Sequence, residues 1–142
     1  MQSLRFTGVV LAGCLLFCLG CGGSAADKEN AQHLRNLGVM YHGYANDHGM
    51  KGPAKADDLK DFKSKTSEKS FEALLNGDVI IIYDVSLSAV EKTPAKMEGT
   101  VLGYYKETPA KGGPVLMANG EVKDYVSAEE FKKLPQAKPQ GK

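Results

Sequence analysis

Residues 27–48 read DKENAQHLRNLGVMYHGYANDH, and this stretch decides the fold. Its apolar side chains recur at steps of three and four residues, which is the period of one face of an α-helix. Asp27 is a suitable N-cap, Asn30 is a second candidate, and Gly49, Gly52 and Pro53 predict where the helix ends. A helix with one apolar face has to bury that face against a partner surface. The stripe consists of Leu34, Leu37, Tyr41, Tyr44 and His48.

The partner surface comes from the second half of the chain, where the hydrophobic pattern changes. Past residue 77, apolar residues run together and β-branched residues become frequent, which is typical of strands. Asn119-Gly120 stands between two such runs and predicts a type I′ hairpin turn with positive φ at both residues. Gly38 and Gly43 in the first helix are expected to let the sheet approach closely. The predicted strands are residues 78–84, 100–106, 115–118 and 121–126, in an antiparallel meander.

Shorter elements surround this sheet. Ser127 and Glu130 have capping-box spacing, so they predict a last short helix, which Pro135 ends. Helical segments followed by strands indicate the α+β class. The predicted fold is a long N-terminal helix packed on a four-stranded antiparallel meander, with short helices before the sheet and at the C-terminus. The other short helices are predicted at residues 56–62 and 67–75, and loops are predicted at residues 85–96 and 108–114.

The first 20 residues differ from the rest of the chain. Arg5 gives a short positive start, residues 6–20 carry no charge, and Gly22-Gly23-Ser24 follows as a polar exit. These three parts are typical of an export signal, and the apolar run is shorter than the ~20 residues that a transmembrane helix needs. Residues 1–20 are therefore predicted to be a signal peptide. A buried core helix or a short membrane anchor is the competing interpretation.

All three cysteines lie in this segment or directly after it. The segment resembles a bacterial lipoprotein signal, in which a small-residue tetrad ends in the cysteine that receives lipid. Leu11-Ala12-Gly13-Cys14 has the usual first residue of that tetrad, whereas residues 18–21 have Cys there. Cleavage before Cys21 uses the whole apolar run, so the resemblance implies acylation, with palmitate-type chains, at Cys21, and Cys14 is the alternative. Cleavage without lipidation stays open as a third interpretation.

Charge and motif content exclude several function classes. The chain has 18 basic and 17 acidic residues, and loss of residues 1–20 removes only Arg5, which leaves 17 of each. Without a block of like charge, no nucleic-acid partner is predicted. His42, Asp47 and His48 form the one His/acid cluster, but positions 42 and 48 do not share a helix face, so no metal site is predicted. No nucleophile motif is present, and neither a catalytic residue nor a cofactor is predicted.

Two blocks of the mature chain resemble bacterial pseudopilin-like proteins of the type II secretion and type IV pilin class. Residues 33–49, with the proline and the acidic-Leu step that follow, resemble the helix behind the membrane anchor of those proteins. Residues 113–122 resemble their final hairpin, with Asn119 where Asp is commoner. The resemblance implies a pilin-like globular head over residues 27–135. The glutamate of the pilin leader does not follow Phe6-Thr7, so assembly into a filament through the N-terminus is not expected.

These observations predict an exported, lipid-anchored cell-envelope protein whose head faces the periplasm or the cell surface. It would act through contacts with an envelope protein and not through catalysis. The alternative is a periplasmic binding module for a small ligand or a glycan, whose surface the tyrosines would form if they are not simply half-buried. Residues 21–26 are expected to be a flexible spacer and residues 136–142 a disordered tail. The six tyrosines are Tyr41, Tyr44, Tyr83, Tyr104, Tyr105 and Tyr125.

Overall fold

The apolar stripe of the first helix forms the centre of the core. The computed structural model describes residues 24–140, and helix α1 spans Ala25–Asp47. Leu34, Leu37 and Tyr41 of the stripe have no exposed surface. The predicted signal peptide, Cys14 and Cys21 lie outside the described residues. The long helix and its buried face are confirmed for these three residues, whereas Tyr44 is half-buried and His48 is the exposed C-cap.

The start of α1 differs from the prediction. Ser24 is the N-cap: its Oγ accepts a hydrogen bond from the Asp27 N–H at 3.2 Å, and the Asp27 carboxylate accepts one from the Ser24 N–H at 2.8 Å. This reciprocal pair is a capping box, in which the acid stands three residues after the cap. The prediction of Asp27 or Asn30 as the N-cap is therefore wrong. The predicted spacer is also too long, because residues 25 and 26 are already helical.

The sheet has the predicted meander topology. Its four strands pair antiparallel in the order β1-β2-β3-β4, which confirms the fold class. One face packs on α1, and Gly38 allows this approach, since a Cβ there would lie 2.9 Å from Cδ1 of Leu116. Gly43 instead contacts Phe62, so the expectation for that glycine is wrong. The strands are β1 Val79–Ile81, β2 Val101–Tyr105, β3 Gly113–Met117 and β4 Val122–Val126.

Short helices are more numerous than predicted. The predicted loops at residues 85–96 and 108–114 are each partly helical. Ser86 caps the helix in the first, because its Oγ accepts from the Ala89 N–H at 3.3 Å, and Pro109 lies in the first turn of the second, where proline is tolerated. The helices after α1 are 3₁₀ helices Ala56–Phe62 and Lys65–Ser67, then α2 Glu68–Leu75, α3 Leu87–Glu91, α4 Lys96–Gly99, α5 Thr108–Lys111 and α6 Ala128–Lys133.

The hairpin between β3 and β4 lies at Asn119-Gly120, but its turn type differs from the prediction. Gly120 has φ 88°, and Asn119 is not among the residues with positive φ. The Gly120 N–H donates to the Met117 carbonyl at 3.0 Å, and the Met117 N–H donates to the Glu121 carbonyl at 2.8 Å. This is a three-residue loop with glycine at its left-handed position. The Asn119 side chain favours it, because Oδ1 accepts from the Glu121 N–H at 3.0 Å.

Residues 135–140 form a C-terminal strap that pairs with Val101, at the start of β2, and with Val85. The Val101 N–H donates to the Pro135 carbonyl at 2.8 Å, and the Ala137 N–H donates back to the Val101 carbonyl at 2.8 Å. The Gln140 N–H then donates to the Asp84 carbonyl at 2.6 Å. Ala137 is only 6% exposed and belongs to the core. The prediction of a disordered tail is therefore wrong for residues 136–140.

The direction of α1 gives the head two ends. The proximal end is where α1 begins, and it contains residues 24–30, 75–78 and 106–112. The distal end lies beyond the C-terminus of α1, and it contains residues 49–53, 84–95 and the C-terminal strap. The Asp84 N–H donates to the Pro53 carbonyl at 2.9 Å, which holds the distal loops together. The 23 residues of α1 separate the two ends by about 34 Å.

Candidate functional site

Two grooves lie at opposite ends of the head. The proximal groove has a volume of about 680 Å³ and lies between the first turns of α1, the start of β1 and the segment that joins β2 to β3. The distal groove has a volume of about 570 Å³ and lies between α3, the turn that follows it and the C-terminal strap. Both volumes are in the range of small-molecule pockets. Their chemistry is different.

The distal groove is apolar. Its two threonine hydroxyls are already satisfied, because Thr93 Oγ1 donates to the Val90 carbonyl at 2.7 Å and Thr100 Oγ1 donates to the Lys96 carbonyl at 2.7 Å. Within residues 24–140, Lys138 is the one charged residue that lines this groove. A surface with few unpaired polar groups suits an apolar protein segment better than a polar ligand. Its apolar walls are Ala89, Val90, Pro94 and Ala95 on one side and Pro135, Ala137 and Pro139 on the other.

The proximal groove is polar and charged. Two ion pairs line it: Lys106 Nζ lies 2.6 Å from Asp78 Oδ1, and Lys111 Nζ lies 2.9 Å from Glu107 Oε2, four residues earlier in the chain. The hydrogen bond to Asp78 raises the pKa of Lys106, and the bond to Lys111 lowers the pKa of Glu107. Burial, followed by the charges of nearby carboxylates, raises the pKa of Tyr105 to about 12, so this phenol stays neutral.

A partly buried hydrogen-bond network joins α1 to α2 beside the proximal groove. Asn36 Nδ2 donates to Ser70 Oγ at 3.0 Å, and Ser70 Oγ lies 3.0 Å from His33 Nδ1. His33 Nε2 is 3.9 Å from a carboxylate oxygen of Glu29. Ser70, His33 and Glu29 follow one another in the order of a nucleophile, a base and an acid. The sequence did not predict this arrangement, because Ser70 is 37 residues from His33. Ser70 has no exposed surface, so no substrate reaches its hydroxyl, and the network ties the two helices together.

The predicted His/acid cluster is dispersed. His42 lies beneath the β3–β4 hairpin, where a Cβ on Gly120 would be 3.2 Å from its Nε2. His48 instead stacks on Tyr44, with ring centroids 3.9 Å apart, and its Nδ1 donates to the Tyr44 carbonyl at 2.8 Å. Within residues 24–140, no three His, Cys, Asp or Glu side chains converge in a way that would hold a metal ion.

Burial of His42 is expected to make the stability of the head depend on pH. Its Nε2 has no hydrogen-bond partner in the described residues, and burial lowers the pKa of the ring, with partial compensation from the Ala118 backbone. The unfolded chain therefore binds a proton first as the pH falls below about 6.5. We expect the free energy of unfolding to decrease from that pH downwards, by up to about 1.4 kcal/mol per pH unit.

Urea denaturation of the wild type and of His42→Gln between pH 7.5 and pH 5 tests this expectation. In the variant, the free energy of unfolding should decrease much less over this pH range, because glutamine does not titrate. Hydrogen bonds lower the pKa values of Asp57, Glu107 and Glu130 in the folded head, so the stability they contribute is lost only as the pH falls through the unfolded carboxylate pKa, which is below this range. An unchanged pH dependence in the variant would assign the effect to another group.

The six tyrosines do not form a common surface. Tyr41 is in the core, where its hydroxyl donates to the Ile82 carbonyl at 3.2 Å, and Tyr104 packs edge-on against Phe131 at 4.8 Å on the other face of the sheet. Tyr105 and Tyr125 both line the proximal groove. Tyr44 stacks on His48 and Tyr83 is half-buried, so Tyr105 and Tyr125 are the tyrosines that share the proximal groove.

Comparison of the chain with protein-family models, with curated proteins and with solved structures gave no match. The resemblances to lipoprotein signals and to pseudopilins therefore stay predictions. Across residues 24–140, no helix has both the length and the apolar composition that a membrane crossing requires.

Proposed function

We propose that the chain is a lipid-anchored cell-envelope protein whose head binds another envelope protein through the distal groove and is not an enzyme. The observation that carries this proposal is that Ser24, three residues after Cys21 in the sequence, and the distal groove lie at opposite ends of the head. Ser24, which starts α1, is three residues after Cys21, so a lipid on Cys21 holds the proximal end close to the membrane. The apolar distal groove then points away from the membrane, where a partner can reach it.

The two edges of the sheet are less suitable than the distal groove as sites for contact with another protein. The outer edge strand β1 has only three residues, with Val79 and Ile81 buried and Ile80 36% exposed, and such a short edge offers little backbone to an added strand. At the opposite edge, β4 exposes Lys123 and Asp124, and charged edge residues disfavour the addition of another strand. An apolar groove with a polar rim has the composition of a protein-binding site.

The proximal groove supports a second candidate function, the binding of a small polar ligand or a glycan. Tyr105 and Tyr125 line this groove together with two carboxylate–ammonium pairs. Aromatic faces with convergent polar groups are typical of such sites. The two candidate functions differ in the groove that is occupied in the cell: the distal groove in the first and the proximal groove in the second.

Substitution of Cys21 by serine tests the anchor. We expect Cys21→Ser to abolish incorporation of an alkyne palmitate analogue, because serine offers no thiol for the acyl chain, while Cys14→Ser keeps the wild-type level. Acyl chains contribute about 0.8 kcal/mol per buried CH₂, so the wild type should stay with the membrane after a high-salt wash. The mass of the mature N-terminus identifies the modified residue. Loss of label in Cys14→Ser alone would move the anchor to Cys14, and an unlabelled wild type would refute lipid anchoring.

A photoreactive amino acid in each groove region tests the contact. Ala89 lines the distal groove on α3, and Ala110 on α5 is a matched exposed alanine at the proximal end. We expect irradiation of cells to give one defined protein adduct through residue 89 and none through residue 110. The second candidate function would be favoured by two results together. Residue 89 would give no adduct, and the head would co-purify with a small molecule that is lost in the Tyr125→Ala variant.

A further inference from the structure

We propose that the proximal end of the head rests on the membrane surface, with the Leu75 side chain inserted at the interface between water and lipid. This inference rests on the proposed lipidation of Cys21 and adds an orientation to it. A tethered head can otherwise tumble above the bilayer. The structure carries two independent reasons for contact, which are the length of the tether and the side chains at this end.

The tether is too short for the proximal end to leave the membrane. Three residue steps separate Cys21 from Ser24, and in any conformation they span no more than about 11 Å. The helix then begins at once, because Ser24 caps it through the hydrogen bonds with Asp27. The head group region on one side of a bilayer is itself about 5–7 Å thick. The first turn of α1 is therefore held next to the lipid head groups.

Leu75 lies at this same end. Helix α2 runs antiparallel to α1, since Asn36 contacts the Thr66 carbonyl at 3.3 Å and His33 contacts Ser70 at 3.0 Å, one turn nearer the start of α1. Ala73 follows in the wall of the proximal groove, beside the first turns of α1. Leu75 ends α2 beyond it and is 56% exposed. Insertion removes the exposed apolar surface of the Leu75 side chain from water, so it stabilises this orientation.

The charge of the proximal end indicates which membrane it suits. Four acidic and three basic side chains lie in residues 24–30, 75–78 and 106–112. Four of these seven charges are neutralised in two ion pairs, Lys106 with Asp78 and Lys111 with Glu107. Attraction to anionic lipid requires an excess of basic residues, which is absent from these segments. Tyr125, 54% exposed beside the groove, adds an amphipathic ring that is favourable at an interface. Contact is therefore expected on a zwitterionic bilayer and should not need anionic lipid.

Fluorescence quenching tests the orientation, because the chain contains no tryptophan. Leu75→Trp introduces one reporter at the proximal end. Val39→Trp is the matched control, since Val39 is 74% exposed but lies about 20 Å along α1 from its start. Both positions are exposed, so neither indole has to enter the core. The full lipidated protein is inserted into phosphatidylcholine vesicles whose acyl chains carry bromine.

We expect the bromolipid to quench the Leu75→Trp variant at least threefold more strongly than the Val39→Trp variant, with a blue-shifted emission. Addition of anionic lipid should not increase the quenching. Equal quenching in the two variants, in protein that floats with the vesicles and carries the acyl mass, would overturn the orientation and leave the anchor intact. Quenching that appears only with anionic lipid would also overturn it. Protein that neither floats nor carries the acyl mass would instead refute the proposed anchor.

Discussion

Replacement of Gly52 by alanine is expected to destabilise the head by about 3 kcal/mol or more, which is a large fraction of the stability of a small domain. A Cβ on residue 52 would lie 1.9 Å from the Tyr41 hydroxyl oxygen and 2.5 Å from Cζ. Tyr41 cannot turn away, because it has no exposed surface and its hydroxyl donates to the Ile82 carbonyl. The backbone is also fixed, since the Gly52 N–H donates to the Val85 carbonyl at 2.7 Å.

Gly99→Ala is the matched control for this prediction. A Cβ on residue 99 would meet only the Cβ of Ala95, at an ordinary 3.6 Å, so its free energy of unfolding should stay within about 0.5 kcal/mol of the wild type. Urea denaturation followed by circular dichroism measures both variants. The double variant Tyr41→Phe/Gly52→Ala should recover part of the loss, because it removes the atom in closest contact. A Gly52→Ala head as stable as the wild type would contradict this packing of the distal loop against α1.

Gly52 illustrates which features of the fold the sequence can and cannot predict. A glycine at position 52 indicates that α1 ends nearby, and the sequence predicted this. Its contact with Tyr41 depends on how the distal loop folds back over the helix, and no periodicity encodes that return. The same distinction explains the sheet. The strands and the Asn119-Gly120 hairpin have strong local signals, whereas the turn type depends on the Asn119 side chain, which bonds to the Glu121 N–H.

The two grooves could not be predicted from the sequence, because each joins residues that are distant along the chain. The distal groove joins Ala89 to Pro139, and the network beside the proximal groove joins His33 to Ser70. The short helices α3 and α5 were missed for a related reason. Proline and paired glycines indicate a turn, but they do not distinguish an open loop from one helical turn that a Ser86 side chain caps.

The C-terminal strap gives the clearest conflict between composition and structure. Residues 136–142 are polar and contain Pro139, which is typical of a disordered tail. Val101 nevertheless presents its backbone N–H and carbonyl next to the end of β1, and residues 135 and 137 satisfy both groups. The Ala137 methyl group then fills the adjacent part of the core. A short polar segment can thus be ordered by groups that the sheet leaves unpaired.

Ala137→Asp is the second substitution with a large expected effect, a loss of about 2–4 kcal/mol of unfolding free energy. Residue 137 is 6% exposed among apolar neighbours, so a carboxylate there loses its water without gaining a partner. Either the charge stays buried or the strap detaches, and detachment uncovers Val101 and breaks the two hydrogen bonds that it makes with the strap. The loss of unfolding free energy cannot exceed the free energy of detaching the strap. It is therefore smaller than the cost of burying an isolated charge.

Lys138→Asp is the control, because the neighbouring residue is exposed and accepts the same aspartate in contact with water. Urea denaturation should place Lys138→Asp within about 0.5 kcal/mol of the wild type. Hydrogen exchange should show faster exchange of the Val101 and Ala137 amides in Ala137→Asp alone, since these amides are protected by the strap. A disordered tail would make the two variants equally stable and their exchange identical. That result would remove one wall of the distal groove, and with it the apolar surface on which the proposed protein contact depends.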